Sequence, residues 1–369
     1  MRGKLVWATL GFLAVVLAMP VAQATDTVQV RLGDDLAALV LSSAPGTTFL
    51  LPEGRFSIAR TVAPLDGDRL IGAGAGLTVI SGGGAMDCIG GSRSGVEVAG
   101  LTTTGCVNGI RPRTRWNVHE VEATGNQIGI RISGDNVTLT SSALHDNTRY
   151  GLVASGVGNR IVGNDMAHNR TDTTYNASGS KWVHSTDTLI QGNFVHDNYG
   201  NGIWLDEESR GSIIDGNTVV NNADDGIRVE ISSDTRITNN HVEGNGGSAI
   251  DVVNSRGTLV QVNTVSSPSS QPIVVRFLGN GRMSASRVEY TNTDNHAYSN
   301  AIRLVGTQLV GVFRTAGTTG GNSFDLNSYT APDAGRHWKW WTGSANVKAD
   351  WTGWRGACSQ DSSGSLTFG

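Results

Sequence analysis

Apolar and polar residues alternate along this chain in short bursts, and the bursts recur on a fixed beat. Around Asn201–Val253 one pattern is written three times, as NGIWLDEESRGSIIDGNTVVNN, DDGIRVEISSDTRITNNHVEGN and SAIDVVNSRGTLVQVNTVSS, aligned on Ile203, Ile227 and Ile250. Each copy opens with a period-two run, crosses polar turn residues into a second such run, and reaches an asparagine. Those asparagines, Asn217, Asn240 and Asn263, are 23 residues apart, and Asn164 and Asn193 carry the same beat upstream. β-prone runs this short cannot bury an inner face alone, so the period predicts an all-β solenoid whose coils cover one another. Alternation then turns Ile110, Ile130, Leu152, Ile203, Ile227 and Ile250 inward as an aliphatic stack, with the residue after each facing out.

The beat also sets the expected boundaries. DDLAALVLSS (Asp34–Ser43) is the one stretch with helical spacing behind an acidic cap, and suits a lid on the first coil. Residues 25–67 are assigned to this cap and its entry strands, 68–319 to the coils, and 320–369 to a C-terminal cap. That last stretch loses the period and holds Trp338, Trp340, Trp341, Trp351 and Trp354. An aromatic plug over the open end is favoured over a sugar-stacking surface, because an uncapped coil exposes core and strand edge. One interval, Asn164 to Asn193, is 29 residues long. Its excess forms a polar loop with Tyr175, beside Lys181 and His184, where an insertion would build the rim of a binding face.

Composition adds a compartment. Arg2 and Lys4, the apolar run Leu5–Met19 and Ala22-Gln23-Ala24 form a secretory leader over residues 1–24, and no later segment is apolar enough to span a bilayer. A secreted or periplasmic protein is therefore expected. The 49 glycines and the low charged fraction of 16% fit a turn-rich β chain. The net charge of −4 gives no reason to expect nucleic acid as a partner. Of three cysteines, Cys88 and Cys106 either bridge neighbouring coils or stay reduced and buried, and Cys358 is odd.

Stacking places outward residues in columns. One runs Arg111, Arg131, Val153, Trp204, Arg228, Asp251; another, two residues on, runs Arg113, Ser133, Ser155, Asp206, Glu230, Val253. Asp206 and Glu230 become vertical neighbours about 5 Å apart, the separation of a retaining glycosidase pair. Two such charges repel by roughly 3 kcal/mol at an effective dielectric near 20, which would keep one carboxyl protonated at neutral pH. Trp204 offers a wall for a sugar ring, Arg228 a counter-charge, and Asp251 a further contact. A solvated ladder of ion pairs is the plainer alternative, but stacked like charges are costly on a mere surface. No cofactor is required, although Asp206, Glu207, Glu230 and Asp251 are oxygen donors acceptable to calcium. Asn217, Asn240 and Asn263 are read as an internal ladder, and His145 and His196, each in an HDN triplet, as structural.

GNGIWLDEESRGSIIDGNTVVNN followed by DDGIRVEISSDTRITNN resembles the right-handed parallel β-helix proteins of the pectate-lyase-like superfamily, over roughly Gly46–Gly321. Over about 50 residues it is also similar to β-helical glycoside hydrolases of the β-xylosidase type. That resemblance implies Asp206 as nucleophile, Glu230 as acid/base and a polysaccharide or oligosaccharide as partner. Two other functions stay open. One is a polysaccharide lyase or epimerase acting on uronates, with Lys181, His184 or Tyr175 as base and Arg228, Arg111, Arg113 and Arg131 neutralising carboxylates. The other is a face that only binds glycan. The pattern assigns no oligomeric state.

Overall fold

The computed structural model describes residues 26–169, 178–268 and 273–369. Short strands wind into three long sheets of 13, 13 and 12 strands, and successive coils pair in parallel, as in Ile214 on Ile237 and Ile237 on Val260. The all-β solenoid expected from the period is a single-domain parallel β-helix. All six residues assigned to the aliphatic stack are fully buried, so the core is a column that each coil extends.

The corners explain the asparagines. Just before each one the backbone turns left-handed, at Gly192, Gly216, Asn239 and Val262, and the asparagine side chain then points inward. Asn217 N and Nδ2 both donate to Asn240 Oδ1 at 2.9 Å. Asn240 Nδ2 in turn donates to Ile214 O at 2.9 Å and to Asn263 Oδ1 at 3.0 Å. An amide is donor and acceptor at once, so identical residues satisfy each other and the turn backbone. The ladder continues through Asn300 and Asn327 to Asp361. A second ladder, absent from the sequence reading, runs Asn126, Asn147, Asn169, Asn198, Asn222, Asn245. His145 and His196 pair with Asp146 and Asp197 at the turns.

Both ends are closed. The helix Leu36–Ser42, capped by Asp35, buries Leu36, Ala37 and Val40. At the other end Trp338 and Trp354 are fully buried, with Trp351 5.2 Å from Trp338 and Trp354 Nε1 donating to Asp361 at 2.8 Å. The five tryptophans therefore belong to the plug. The strand Asn346–Ala349 pairs antiparallel with Trp338–Trp341, which ends parallel addition to that sheet. Cys88 and Cys106 form a disulfide, and Cys358 is a buried free thiol. No helix among the described residues is long and apolar enough to cross a membrane. The leader lies outside the described residues.

Candidate active site

The third sheet carries the column of interest. Its strands Ser178–Thr186, Asn201–Asp206, Ile227–Glu230 and Ile250–Val253 lie in register, so Lys181, Trp204, Arg228, Asp251 and Arg276 stack in turn. Lys181 belongs to this column, a place the sequence reading had not given it. Ile203, Leu205 and Val229 point into the core with no exposure, which sends Trp204, Asp206, Arg228 and Glu230 outward. Gly226 fixes the corner before Ile227. A Cβ there would lie 2.5 Å from Val242 Cγ1 and 2.7 Å from Ala249 O.

Outward does not mean exposed. Both Asp206 and Glu230 are only 2% accessible, at the floor of a cleft of about 770 Å³ lined also by Tyr150, Lys181, Asp224, Asp225 and Arg282. The expectation of two carboxylates standing in solvent is corrected, and the cause is a set of cations laid over them. Lys181 Nζ sits 2.9 Å from Asp206 Oδ2. Arg228 Nε donates to Glu230 Oε2 at 3.1 Å, and Arg282 Nη1 to Glu230 Oε1 at 2.5 Å. Arg282 comes from an excursion between ladder residues Asn263 and Asn300, which are 37 residues apart. That excursion is tied across to Glu207 by Ala285 N at 2.9 Å and to Glu208 by Ser286 Oγ.

These cations decide the charge state of Glu230. Burial alone would push Glu230 up, but Arg228 and Arg282 outweigh it and hold the carboxyl below its ordinary value. Glu230 is therefore held in its ionised form. Asp225 is pushed up to about 6, by burial first and then by the nearby Asp251 charge, against the pull of Arg228. Asp225 Oδ2 accepts from Arg228 Nη1 at 2.9 Å. Asp225 and Glu230 grip two nitrogens of one guanidinium, so their bonded oxygens stand at most about 8 Å apart, a limit that admits the gap of an inverting pair and the shorter one of a retaining pair alike.

Other expected site residues fare differently. The Trp204 face is not open to a sugar, since Lys181 Nζ lies 3.4 Å from its ring centroid. His184 is exposed on a bulge, with left-handed backbone, and does not line the cleft. Asp251 is fully buried behind the cleft, gripped by Arg276 at 2.6 Å and Arg228 at 3.2 Å. Tyr175 lies outside the described residues. Arg113 is engaged by the carbonyls of Gly91 and Ser133. The calcium donors are each engaged by a basic side chain, and among the described residues no three His, Cys, Asp or Glu are grouped to hold a metal ion. Asp225 and Arg282 were missed. Asp225 precedes a glycine and looks like a turn residue, while Arg282 was marked only by the long Asn263–Asn300 interval.

Residues 106–265 match the family model described as a right handed beta helix region. Among solved structures, the A-module of the Azotobacter vinelandii mannuronan C-5 epimerase AlgE4 is 21% identical with a TM-score of 0.67, covering 82% of this chain and 93% of that one. The periplasmic alginate epimerase AlgG is 14% identical with a TM-score of 0.53, covering 83% of each chain. The Dettilon tailspike protein is 12% identical with a TM-score of 0.56, covering 82% of this chain and 59% of its own. No curated protein matches the sequence. By its parallel sheets and by the matched coils, the chain has the fold of a right-handed parallel β-helix.

Proposed function

We propose that the protein is a secreted or periplasmic carbohydrate-active enzyme that hydrolyses a glycosidic bond with inversion. The observation that carries this reading is the divided protonation of two carboxyl groups held on one guanidinium. Asp225, pushed up to about 6, donates a proton to the leaving oxygen. Glu230, kept ionised by Arg228 and Arg282, takes one from the attacking water, and Asp206 on the preceding coil helps hold that water. Arg228 sets the spacing of acid and base. The carbohydrate class is supported by the cleft's polar lining, and by epimerases named for mannuronan and alginate among proteins of the same fold. The compartment is supported by the leader and the disulfide. The resemblance-based assignment of a retaining Asp206–Glu230 pair gives way to this one because it needs Glu230 protonated.

A second reading, C-5 proton abstraction from a uronate, is favoured by one observation: Tyr150 and Lys181 line the same cleft as Arg228 and Arg282. Product analysis separates the two. Hydrolysis with inversion gives a reducing sugar whose first-formed anomer, followed by proton NMR, is opposite to the substrate's, and Glu230→Gln abolishes it. Unsaturated uronate absorbance, or epimerised polymer with no new reducing ends, would overturn the hydrolytic reading.

A further inference from the structure

A hairpin outside the repeat reaches up to the cleft. Residues 281–290 follow the strand Ile273–Asn280 and fold back on themselves, with Met283 paired antiparallel to Glu289. Ser284 N donates to Val288 O at 3.0 Å, and Arg287 N to Ser284 O at 2.9 Å, across a turn that is left-handed at Arg287. The root is fixed by the neighbouring coils. Asn254 Oδ1 accepts from Asn280 N at 2.9 Å and from Gly281 N at 3.3 Å, and Asn254 Nδ2 donates to Arg282 O at 3.3 Å. The returning leg buries Tyr290 beside Arg256. The tip rests two coils further up, where Ala285 N donates to Glu207 Oε2 at 2.9 Å and Ser286 Oγ donates to Glu208 Oε1.

The corner that receives the tip departs from its neighbours. From Asp206 to Arg210 it takes one residue more than the matching corners from Val183 to Thr186, Glu230 to Ser233 and Val253 to Arg256. Glu207 and Glu208 occupy that longer corner, both with left-handed backbone, φ 43° and 63°. Such backbone is uncommon in residues with side chains, and an extra residue at a strand re-aims the side chains around it. Here it turns two carboxylates toward the hairpin.

Arg282 depends on that hold. Its side chain is 46% exposed, so packing does not select one rotamer, and fixing a long side chain costs conformational freedom. Nη1 reaches Glu230 while Nη2 lies 3.6 Å from Glu207 Oε1. Glu207 therefore grips both the hairpin tip and the guanidinium. Asp206 also faces Arg282 but is itself paired with Lys181, and His184 and Arg210 lie near Glu208.

We propose that Glu207 and Glu208 are positioning residues, which latch the hairpin tip and thereby hold Arg282 on Glu230. They act through Arg282 rather than on the glycan. The inference deepens the reading of Glu230 as the catalytic base and rests on it.

The test follows Glu230 itself, by carboxyl NMR of the full chain carrying carbon-13 glutamate, without substrate, with the signal assigned by its loss in Glu230→Gln. The acid limb of the rate profile is recorded beside it. Deleting the Glu207 charge would by itself lower the Glu230 midpoint, whereas losing the latch raises it, so the sign separates the two. Glu207→Ala should raise that midpoint by about one pH unit. Ser286→Ala, an exposed and neutral change, should raise it less, and neither should move it further in a chain already carrying Arg282→Gln. A midpoint lowered or unmoved by Glu207→Ala, or raised equally with Arg282 absent, overturns the latch. A midpoint raised through Arg282 in a chain that hydrolyses no glycan leaves the latch standing and ends the hydrolytic reading. Glycan hydrolysis whose acid limb and Glu230 midpoint are indifferent to both substitutions does the reverse.

Discussion

Two columns of polar side chains climb the same coils, one inside the corner and one on the third sheet's outer face, and they obey opposite rules. The corner column is neutral. Each asparagine receives from the coil before and gives to the coil after, so the same residue can follow itself without limit. The face column is charged, and a carboxylate only accepts. Asp206, Glu230 and Asp251 persist there because Lys181, Arg228, Arg276 and Arg282 are set between and over them. Burying a paired charge is at best weakly stabilising, and leaving one unpaired is costly. A structural stack can therefore be built from repetition, whereas a reactive one needs partners from outside the repeat, as Arg282 is.

The comparison can be broken at several points. The largest effect belongs to the face: Asp225→Asn should lower kcat by about a hundredfold to ten-thousandfold, the usual weight of a general acid, in a chain that still unfolds cooperatively. A rate near wild type would remove Asp225 from the chemistry. The corner should respond in the opposite sense. Asn240→Ala strips partners from Asn217 N and from Ile214 O, and should cost about 3 kcal/mol in urea unfolding while kcat per folded molecule holds. A neutral result there would mean that the ladder is decoration.

Acidity sharpens the same contrast. Asp225 titrates near 6 when folded but at the ordinary 3.8 when unfolded, so the folded chain binds the extra proton between those values. Its contribution to stability is greatest below about pH 4 and is lost as pH rises toward 6. Activity that needs its proton should fall above about pH 6, and Asp225→Asn should flatten the stability curve in that window. Glu230 carries the opposite sign. Its lowered folded value stabilises the protein above the ordinary 4.5, and that contribution is lost as pH falls through the folded value. The smallest expected change comes from Arg282→Gln. With one guanidinium gone from Glu230, the acid limb of the rate profile should move to higher pH, with less than about a tenfold loss at the plateau. An unmoved acid limb would show that Arg282 does not govern that carboxyl.

Much of the molecule was legible before any coordinates. The 23-residue beat set out the solenoid, the inward aliphatic stack and the corner ladder, because each depends on neighbours a constant distance away in sequence, while the helical lid showed only in its own apolar spacing and the tryptophans only in the loss of the beat. It also found the outward faces of Asp206 and Glu230, since period-two alternation decides which side a residue takes. Protonation was beyond its reach. The charge state of Glu230 depends on Arg282, 52 residues away on an excursion that obeys no period, and that of Asp225 on burial and on Asp251 in the next coil. Local pattern sets direction along a strand, but electrostatics in a buried site sums over whatever the fold brings near. Which carboxyl keeps its proton was decided only when the chain had wound and the excursion had closed over it.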